Sequence, residues 1–213
     1  MINYAQRTEV LAAARQLEER GLTQGTSGNV SVRFSEGMLI TPSAMPYSKM
    51  EPLDLITMTL EGKVRGVPRG RLPSTEWQMH AGIFSNGPGI GAIIHAHPPW
   101  STALSCLRRD IPPFHYMVAA AGGTVIRCSG YATFGTHDLA TAALEALGDR
   151  KACLLANHGI IACGASLEAA LGLAIEVEAL AGQYMRALSV GEPALLTDAQ
   201  MARVLEEFKT YGR

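Results

Sequence analysis

Two histidines stand in the segment 91–100, GAIIHAHPPW, which otherwise has the apolar and β-branched composition of a buried strand. Side chains at positions i and i+2 of a strand point to the same face, so His95 and His97 should lie together near the strand's end, before Pro98. Two imidazoles held so close oppose each other's protonation, whereas a divalent cation binds both as neutral ligands. Two hydrogen-bonded surface histidines would show the same pattern, so a metal site needs a further ligand from elsewhere in the chain.

His158 supplies a third imidazole. It precedes Gly159 at the end of a second apolar segment, ACLLANHG. Three protein ligands leave one coordination position open for water or substrate, as in catalytic zinc sites. We therefore predict one Zn²⁺ bound by His95, His97 and His158, with Mn²⁺ or Co²⁺ as the alternatives, because an all-imidazole site favours zinc. Carbonic anhydrases and cupins use similar ligand sets, so the histidines alone do not specify the reaction.

Glu76 is the candidate acid or base. The segment PSTEWQMHAGIF is predicted to begin a helix with Ser74 or Thr75 as its N-cap, which places Glu76 in the first turn. The helix dipole alone favours a carboxylate there. Beside a metal ion the same carboxylate can also transfer protons near neutral pH.

Three short segments rich in glycine and hydroxyl side chains are candidates for binding a phosphate. Hydroxyls, amides and backbone N–H groups in loops and at helix N-termini suit an anion. Turns are commonly rich in these residue types, so any one segment is weak support. The candidate residues are Thr26, Gly28 and Asn29 in the first segment, Ser43 and Ala44 in the second, and Ser74 and Thr75 in the third.

The predicted elements that position these residues are helices and short strands, and the sequences between several strands are typical of hairpin turns. This pattern favours an α/β protein of the α+β type, with a mainly antiparallel central sheet covered by helices. No linker or repeat interrupts the chain, so we predict a single domain over residues 1–213. Helices are expected over 8–20, from 75 onward, and over 99–109, 137–147, 166–188 and 198–211.

Composition excludes several classes of partner. The formal charge is −1, from 18 basic and 19 acidic residues, without a clustered basic face, so we expect no nucleic-acid partner. No stretch reaches the roughly 18 uncharged apolar residues of a membrane span. The N-terminal segment carries charges throughout and lacks the apolar block of a signal peptide. We therefore expect a cytoplasmic protein without a membrane partner.

Eight blocks of sequence resemble the class II (zinc-dependent) aldolases of the fuculose-phosphate type. Their family also contains ribulose-5-phosphate 4-epimerases and the adducin head domain. The blocks follow one another in order over nearly the whole chain. They are QGTSGNVSVR (24–33), MLITPSAMPY (38–47), LPSTEWQMH (72–80), AIIHAHPPWSTALS (92–105), IPPFHYMVAAAGG (111–123), YATFGT (131–136), LLANHGIIACGASLEAAL (154–171) and EFKTYG (207–212).

The resemblance implies a class II aldolase-like fold and reversible cleavage of a ketose 1-phosphate, of the L-fuculose 1-phosphate type, to dihydroxyacetone phosphate and an aldehyde such as L-lactaldehyde. It implies that His95, His97 and His158 are zinc ligands and that Glu76 is the catalytic acid and base. The residues that match positions around the phosphate are Thr26, Asn29, Ser43, Ser74 and Thr75.

The resemblance also implies a homotetramer with active sites at contacts between subunits. Tyr116 matches a catalytic tyrosine that reaches a neighbouring subunit's site and protonates the aldehyde oxygen. Phe134 and Tyr211 match residues on the aldehyde side. The expected partner, besides the other subunits, is a small-molecule sugar phosphate.

Some residues depart from the family pattern. Ala44 replaces a glycine, Asn157 stands where a second histidine is common, and a Pro-Pro-Trp segment follows the ligand His97. These departures leave other substrates open: 5-deoxyribulose 1-phosphate or 5-methylthioribulose 1-phosphate for an aldolase, or a sugar phosphate for a 4-epimerase on the same fold. A non-catalytic domain like the adducin head would be expected to lack the metal ligands, which are all present here.

Overall fold

Among the residues that the structure describes, one antiparallel sheet of seven strands forms the centre of the molecule. The computed structural model describes residues 3–35, 37–66 and 70–210, so Tyr211 lies outside the described residues. The strands lie in the order β4-β3-β2-β1-β5-β7-β6, and every neighbouring pair is antiparallel. Their bounds are Asn29–Phe34 (β1), Gly37–Ile40 (β2), Ile56–Met58 (β3), Val64–Arg65 (β4), Ala92–Ala96 (β5), Ala152–Leu155 (β6) and Gly159–Gly164 (β7). The predicted fold class is confirmed.

Helices cover both faces of this sheet. Their bounds are Tyr4–Glu19 (α1), Trp77–Asn86 (α2), Pro99–Cys106 (α3), His137–Leu147 (α4), Leu167–Val190 (α5) and Asp198–Phe208 (α6). Short 3-10 helices span Tyr47–Lys49, Pro52–Asp54 and Tyr116–Ala121. Helices α2 and α4 pack on one face, and α1, α3 and α5 pack on the other. In the part of the chain that the structure describes, no helix is long and apolar enough to cross a membrane.

Alternation along the central strands decides which side chains meet α2. In β5, Ile93 packs in the core beneath α2 and α4, whereas Ile94 packs in the core on the opposite face. His95 therefore shares the α2 face with Ile93. In the ladder between β1 and β5, Asn29 lies opposite His95 and Ser31 lies opposite Ile93. Asn29, Ser31 and His95 thus point to the same side of the sheet.

Two helices begin at residues other than those predicted. Helix α1 begins at Tyr4, one turn earlier than expected, because Asn3 and Gln6 form a capping box before it. The prediction that Ser74 or Thr75 is the N-cap of α2 is wrong. Glu76 occupies the N-cap position, and its side chain makes no capping hydrogen bond.

The histidines lie at or just beyond the ends of their strands. His95 is within β5, and His97 follows its last residue. His158 is in the three-residue turn that joins β6 to β7, beyond the strand end where the sequence placed it. The last helix ends at Phe208, earlier than the predicted end near residue 211.

Helix α5 contains two glycines in different surroundings. A Cβ added at Gly172 would meet no described atom within 4 Å. A Cβ added at Gly182 would lie 3.0 Å from Cδ1 of Trp100, whose ring also carries the Arg186 guanidinium 4.5 Å from its centroid. Gly182 therefore allows α5 to approach α3 closely, whereas Gly172 is not required by packing.

We predict opposite effects of alanine at these two sites. Gly172→Ala should raise the free energy of unfolding by about 0.5–1 kcal/mol, because alanine has the higher helix propensity. Gly182→Ala has the same backbone advantage but should lower the free energy of unfolding by about 1 kcal/mol or more, because its methyl group displaces Trp100. Urea unfolding of both variants measures the difference. Equal stabilisation by both substitutions would contradict the tight contact at Gly182.

Candidate active site

Three imidazole rings converge above the end of β5. Each pair among His95, His97 and His158 has ring centroids 4.8 Å apart, and one ligand atom from each lies within 4.8 Å of the others. The Nε2 atoms of His95 and His97 are 3.0 Å apart. Tetrahedral Zn²⁺ with bonds of about 2.0–2.1 Å to nitrogen sets its ligand atoms about 3.3 Å apart. The three side chains therefore fit a divalent metal ion of this size.

Backbone contacts select the tautomer of His95. Its Nδ1 lies 2.9 Å from the carbonyl oxygen of Ile160, which only accepts hydrogen bonds, so Nδ1 carries the proton. The Nε2 lone pair is then free to face the other histidines. Burial, together with the neighbouring histidines, lowers the pKa of His97 to about 3. Burial and His95 likewise lower the pKa of His158 to about 4. These two rings are neutral at pH 7, as metal ligands must be.

Helix α3 anchors the segments that carry His97 and His158. At its first turn, the Glu178 carboxylate accepts hydrogen bonds from the backbone N–H groups of Trp100 (2.9 Å) and Ser101 (2.8 Å). Near its end, the Ser105 hydroxyl accepts a hydrogen bond from the backbone N–H of His158 (3.3 Å). Gly159 permits the close approach of this turn to β5, because a Cβ there would lie 2.3 Å from the Ala96 carbonyl oxygen.

Glu76 reaches the three rings from the start of α2. Its Oε2 lies 3.1 Å from His95 Nε2 and accepts a hydrogen bond from Asn29 Nδ2 (2.9 Å). Its Oε1 lies 3.4 Å from His158 Nε2 and accepts no hydrogen bond from any described residue. A buried carboxylate oxygen without a donor is costly, and a bound cation would supply its missing partner. Glu76 and the histidines together therefore suit a metal centre.

The residues around Glu76 stabilise the ionised form of its carboxyl group. Burial by itself would raise the pKa of this carboxyl, but His95, His158 and Asn29 outweigh it and hold the pKa well below its usual range. Burial opposes a charge on His95, yet the same carboxylate raises the pKa of that ring. Glu76 is therefore ionised at neutral pH within a largely buried cluster.

A cavity of about 500 Å³ opens above this cluster. Most of the residues singled out in the sequence line it, whereas His95 lies behind its wall and is fully buried. The lining also includes Ser27, Pro42, Tyr131, Ala132 and Asn157. The predicted residues that line it are Thr26, Gly28, Asn29, Ser43, Ala44, Ser74, Thr75, Glu76, His97, Phe134 and His158.

Tyr116 is a described candidate that lies at neither this cavity nor the histidine cluster. It is 51% exposed and begins a 3-10 helix beside a different cavity of about 300 Å³, which residues of α6 also line. Within one chain, Tyr116 is therefore not assembled with Glu76. Its expected position in a neighbouring subunit's site stays a prediction.

His80 is a residue of this region that the sequence reasoning missed. It lies one helical turn after Glu76 and is fully buried. Its Nε2 contacts Asn29 Oδ1, and its Nδ1 lies 2.6 Å from Ser31 Oγ. The available signal was a polar side chain four residues after Glu76 in an otherwise apolar part of the helix, between Met79 and Ala81.

Ala44 adopts a backbone conformation that favours glycine. Its φ is 54°, in the left-handed region, where a Cβ costs about 1–2 kcal/mol. The residue lines the cavity next to Ser43. An alanine where the resemblance implies a glycine is thus accommodated with strain.

We predict that Ala44→Gly raises the free energy of unfolding by about 1 kcal/mol, because glycine adopts positive φ without the Cβ clash. Its backbone N–H is retained, so affinity for inorganic phosphate should change less than about twofold. Ala132→Gly serves as the control: it lines the same cavity without a positive φ and should lower the free energy of unfolding. Denaturant unfolding and calorimetric titration with phosphate measure both. A destabilised Ala44→Gly variant would contradict the strain.

Known proteins resemble this chain over nearly its full length. Residues 8–185 match the family described as class II aldolase and adducin N-terminal domain. A 5-methylthioribulose-1-phosphate/5-deoxyribulose-1-phosphate aldolase of Rhodospirillum rubrum is 52% identical over 208 residues, 98% of this chain and 93% of that protein. An L-fuculose phosphate aldolase of Escherichia coli K12 is 46% identical over 205 residues, 96% of this chain and 94% of that protein.

A solved L-fuculose 1-phosphate aldolase has the same fold, with a TM-score of 0.94 and 40% identity over 98% of both chains. Three converging imidazoles beside a buried carboxylate suit a metal-dependent enzyme, and the relatives named above are aldolases, which are carbon–carbon lyases. The chain belongs to the class II aldolase and adducin family, and within it the chain is a class II aldolase.

Proposed function

We propose that this aldolase binds one Zn²⁺ through His95, His97 and His158 and reversibly cleaves a ketose 1-phosphate to dihydroxyacetone phosphate and an aldehyde. The observation that carries this proposal is the convergence of three imidazoles and Glu76 at the base of a cavity lined with hydroxyl and glycine residues. Zinc is preferred to Mn²⁺ or Co²⁺ because all three ligands are imidazoles. When bound, the ion acts as a Lewis acid that stabilises negative charge developing on the substrate's oxygens.

The phosphate is proposed to bind the side of the cavity formed by hydroxyls and loop backbone. Thr26, Ser43, Ser74 and Thr75 offer O–H donors, and Gly28 and Ala44 offer backbone N–H groups. Among the described residues that line the cavity, none is lysine or arginine. Recognition of the dianion would therefore depend on dipoles and on the nearby metal, with little contribution from paired side-chain charges.

Glu76 is proposed to move the proton at the carbon that gains or loses the bond. Its carboxylate borders the cavity and is ionised, so it can remove a proton from bound dihydroxyacetone phosphate in the synthetic direction. In cleavage it returns the proton to the same carbon. The hydrogen bond from Asn29 restrains the carboxylate between the ligands and the substrate.

We predict that Glu76→Gln keeps about one zinc per chain but loses at least about 10²-fold in turnover, because the amide has the shape of the acid without its basicity. Metal analysis and steady-state cleavage kinetics measure the two effects. Glu168→Gln, on the exposed first turn of α5, is the matched control and should leave turnover unchanged. Turnover within tenfold of the wild type would remove Glu76 from this role.

Tyr116 is proposed to protonate the aldehyde oxygen in the cavity of a neighbouring subunit, within a homotetramer. Its partial exposure and its distance from the chain's own cavity are compatible with such a shared site. Phe134 is proposed to border the aldehyde, because it lines the cavity and is 67% exposed. Tyr211, outside the described residues, is proposed to act on the same side.

Two aldehyde specificities have comparable support. The first is the L-fuculose 1-phosphate type, which releases L-lactaldehyde. The second is the 5-deoxyribulose or 5-methylthioribulose 1-phosphate type, favoured by the higher identity to the Rhodospirillum rubrum relative. Tyr131, Ala132 and Phe134 make one wall of the cavity mainly apolar, which suits a methyl or methylthio group.

An aldehyde panel tests the proposed reaction. Dihydroxyacetone phosphate should condense with L-lactaldehyde, acetaldehyde or methylthioacetaldehyde, and the highest kcat/KM identifies the type. A dipicolinate-treated enzyme should lose all measurable activity and regain it with added Zn²⁺, because the Lewis acid is removed and restored. Interconversion of epimers without free aldehyde would instead indicate a 4-epimerase. Full activity after metal removal would contradict the metal-dependent mechanism.

A further inference from the structure

A fully buried histidine beneath the cavity has no role in the steps above. His80 points from α2 towards β1, where it contacts Asn29 and Ser31. The main chain of β1 places both partners on the α2 face, with Asn29 opposite the ligand His95 in the ladder. His80 is therefore connected through Asn29 to Glu76.

The carboxylate of Glu76 determines how the Asn29 side chain is oriented. Asn29 Nδ2 lies 2.9 Å from Glu76 Oε2 and 3.0 Å from Ser74 Oγ, so each of its two N–H groups has an oxygen acceptor in this orientation. The opposite orientation would set the amide oxygen against the carboxylate. The Asn29 oxygen, Oδ1, must then face His80.

This orientation also determines the tautomer of His80. Because Asn29 Oδ1 only accepts, His80 Nε2 must carry the proton and donate it. Burial lowers the pKa of His80 to about 3, so the ring is neutral. Its Nδ1 is therefore an acceptor, and it receives the hydroxyl hydrogen of Ser31 at 2.6 Å.

The same chain of hydrogen bonds has a consequence for Ser74. Its Oγ accepts from Asn29 Nδ2 (3.0 Å) and from the backbone N–H of Glu76 (3.3 Å). A hydroxyl oxygen has two acceptor positions, and these two bonds occupy both. The remaining hydroxyl hydrogen can only be donated, and Ser74 lines the cavity.

We propose that His80 is a positioning residue whose Nε2–H holds the Asn29 amide in the one orientation that directs one N–H to Glu76 and the other to Ser74. The Ser74 hydroxyl hydrogen is thereby left to donate to the substrate phosphate. This inference rests on the proposed aldolase function. It connects acid–base chemistry and phosphate binding through a single buried amide.

The tautomer is tested without measuring activity. In protein labelled with ¹⁵N-histidine, long-range ¹H–¹⁵N spectra distinguish Nε2–H from Nδ1–H rings, and His80 is assigned by its loss in His80→Gln. The expected result is a neutral Nε2–H ring both with and without zinc. An Nδ1–H ring or a doubly protonated ring at pH 7 would overturn the inference, whatever the enzyme's substrate.

Two substitutions separate positioning from packing. A glutamine at residue 80 extends an N–H donor to the place of His80 Nε2, whereas an asparagine is too short to reach Asn29. We expect His80→Asn to lower kcat about tenfold and to weaken competitive inhibition by inorganic phosphate by a similar factor, the size expected for one buried hydrogen bond. His80→Gln should recover both to within about threefold, and both variants should keep about one zinc per chain. Equal losses in the two variants, or loss of zinc, would overturn the inference.

A double-mutant cycle tests whether His80 acts through Asn29. In an Asn29→Ala background, His80→Asn should lower kcat by less than about threefold, because the amide that it positions is gone. A full tenfold loss there would show that His80 acts by another route. If wild-type protein has no aldolase activity, the proposed function fails, and the tautomer measurement still decides the hydrogen-bond arrangement.

Discussion

The antiparallel pairing of β5 with β1 and β7 is the constraint on which the site depends. It sets His95 opposite Asn29 on one side and opposite Ile161 on the other, and the His95 ring donates to the carbonyl of Ile160, the residue next to Ile161. Because the ladder is central and buried, these side chains have little freedom to adjust. The proposed metal ligand His95, its tautomer and the amide that restrains Glu76 are therefore placed by the pairing of the same three strands.

The Glu76 carboxylate is buried among histidines, where water cannot stabilise its charge. An isolated carboxylate would be expensive there, and the neighbouring imidazoles and the Asn29 amide compensate it. The same arrangement leaves one carboxylate oxygen without a hydrogen-bond donor among the described residues. A site of this kind is poised to accept positive charge, which agrees with the metal dependence of the family.

The residues that line the cavity fall into three chemical groups. The lining includes hydroxyls and loop backbone, Glu76 with His97 and His158, and the aromatic side chains of Tyr131 and Phe134. These groups come from separate segments of the chain, so the segments must pack correctly before the cavity exists. The strained φ of Ala44 and the close approach at Gly159 show that the backbone accepts local cost to complete it.

Local patterns in the sequence were sufficient to predict much of the fold and the three histidines that converge. Alternation in β5 placed His95 and His97 on one face, hairpin signals predicted antiparallel pairing, and Ser166 marked the start of α5, because these features depend on neighbours in the chain. Glycine- and hydroxyl-rich segments indicated the phosphate candidates, the family resemblance added Phe134, and the structure brings them to one cavity.

Other features depend on contacts between residues far apart in sequence. The sequence placed the N-cap of α2 at Ser74 or Thr75, but packing against β1 draws the Ser74 hydroxyl to Asn29 and leaves Glu76 at the cap. The positions of His80 and Tyr116 were likewise not predictable from local sequence. His80 contacts Asn29 in the site, whereas Tyr116 lies at a different cavity of the chain. The amino-acid sequence by itself determined which residue types were available and which shared a strand face. Only the tertiary structure decided which of them meet, because hydrogen bonds and burial between separate elements follow from how the sheet and helices pack.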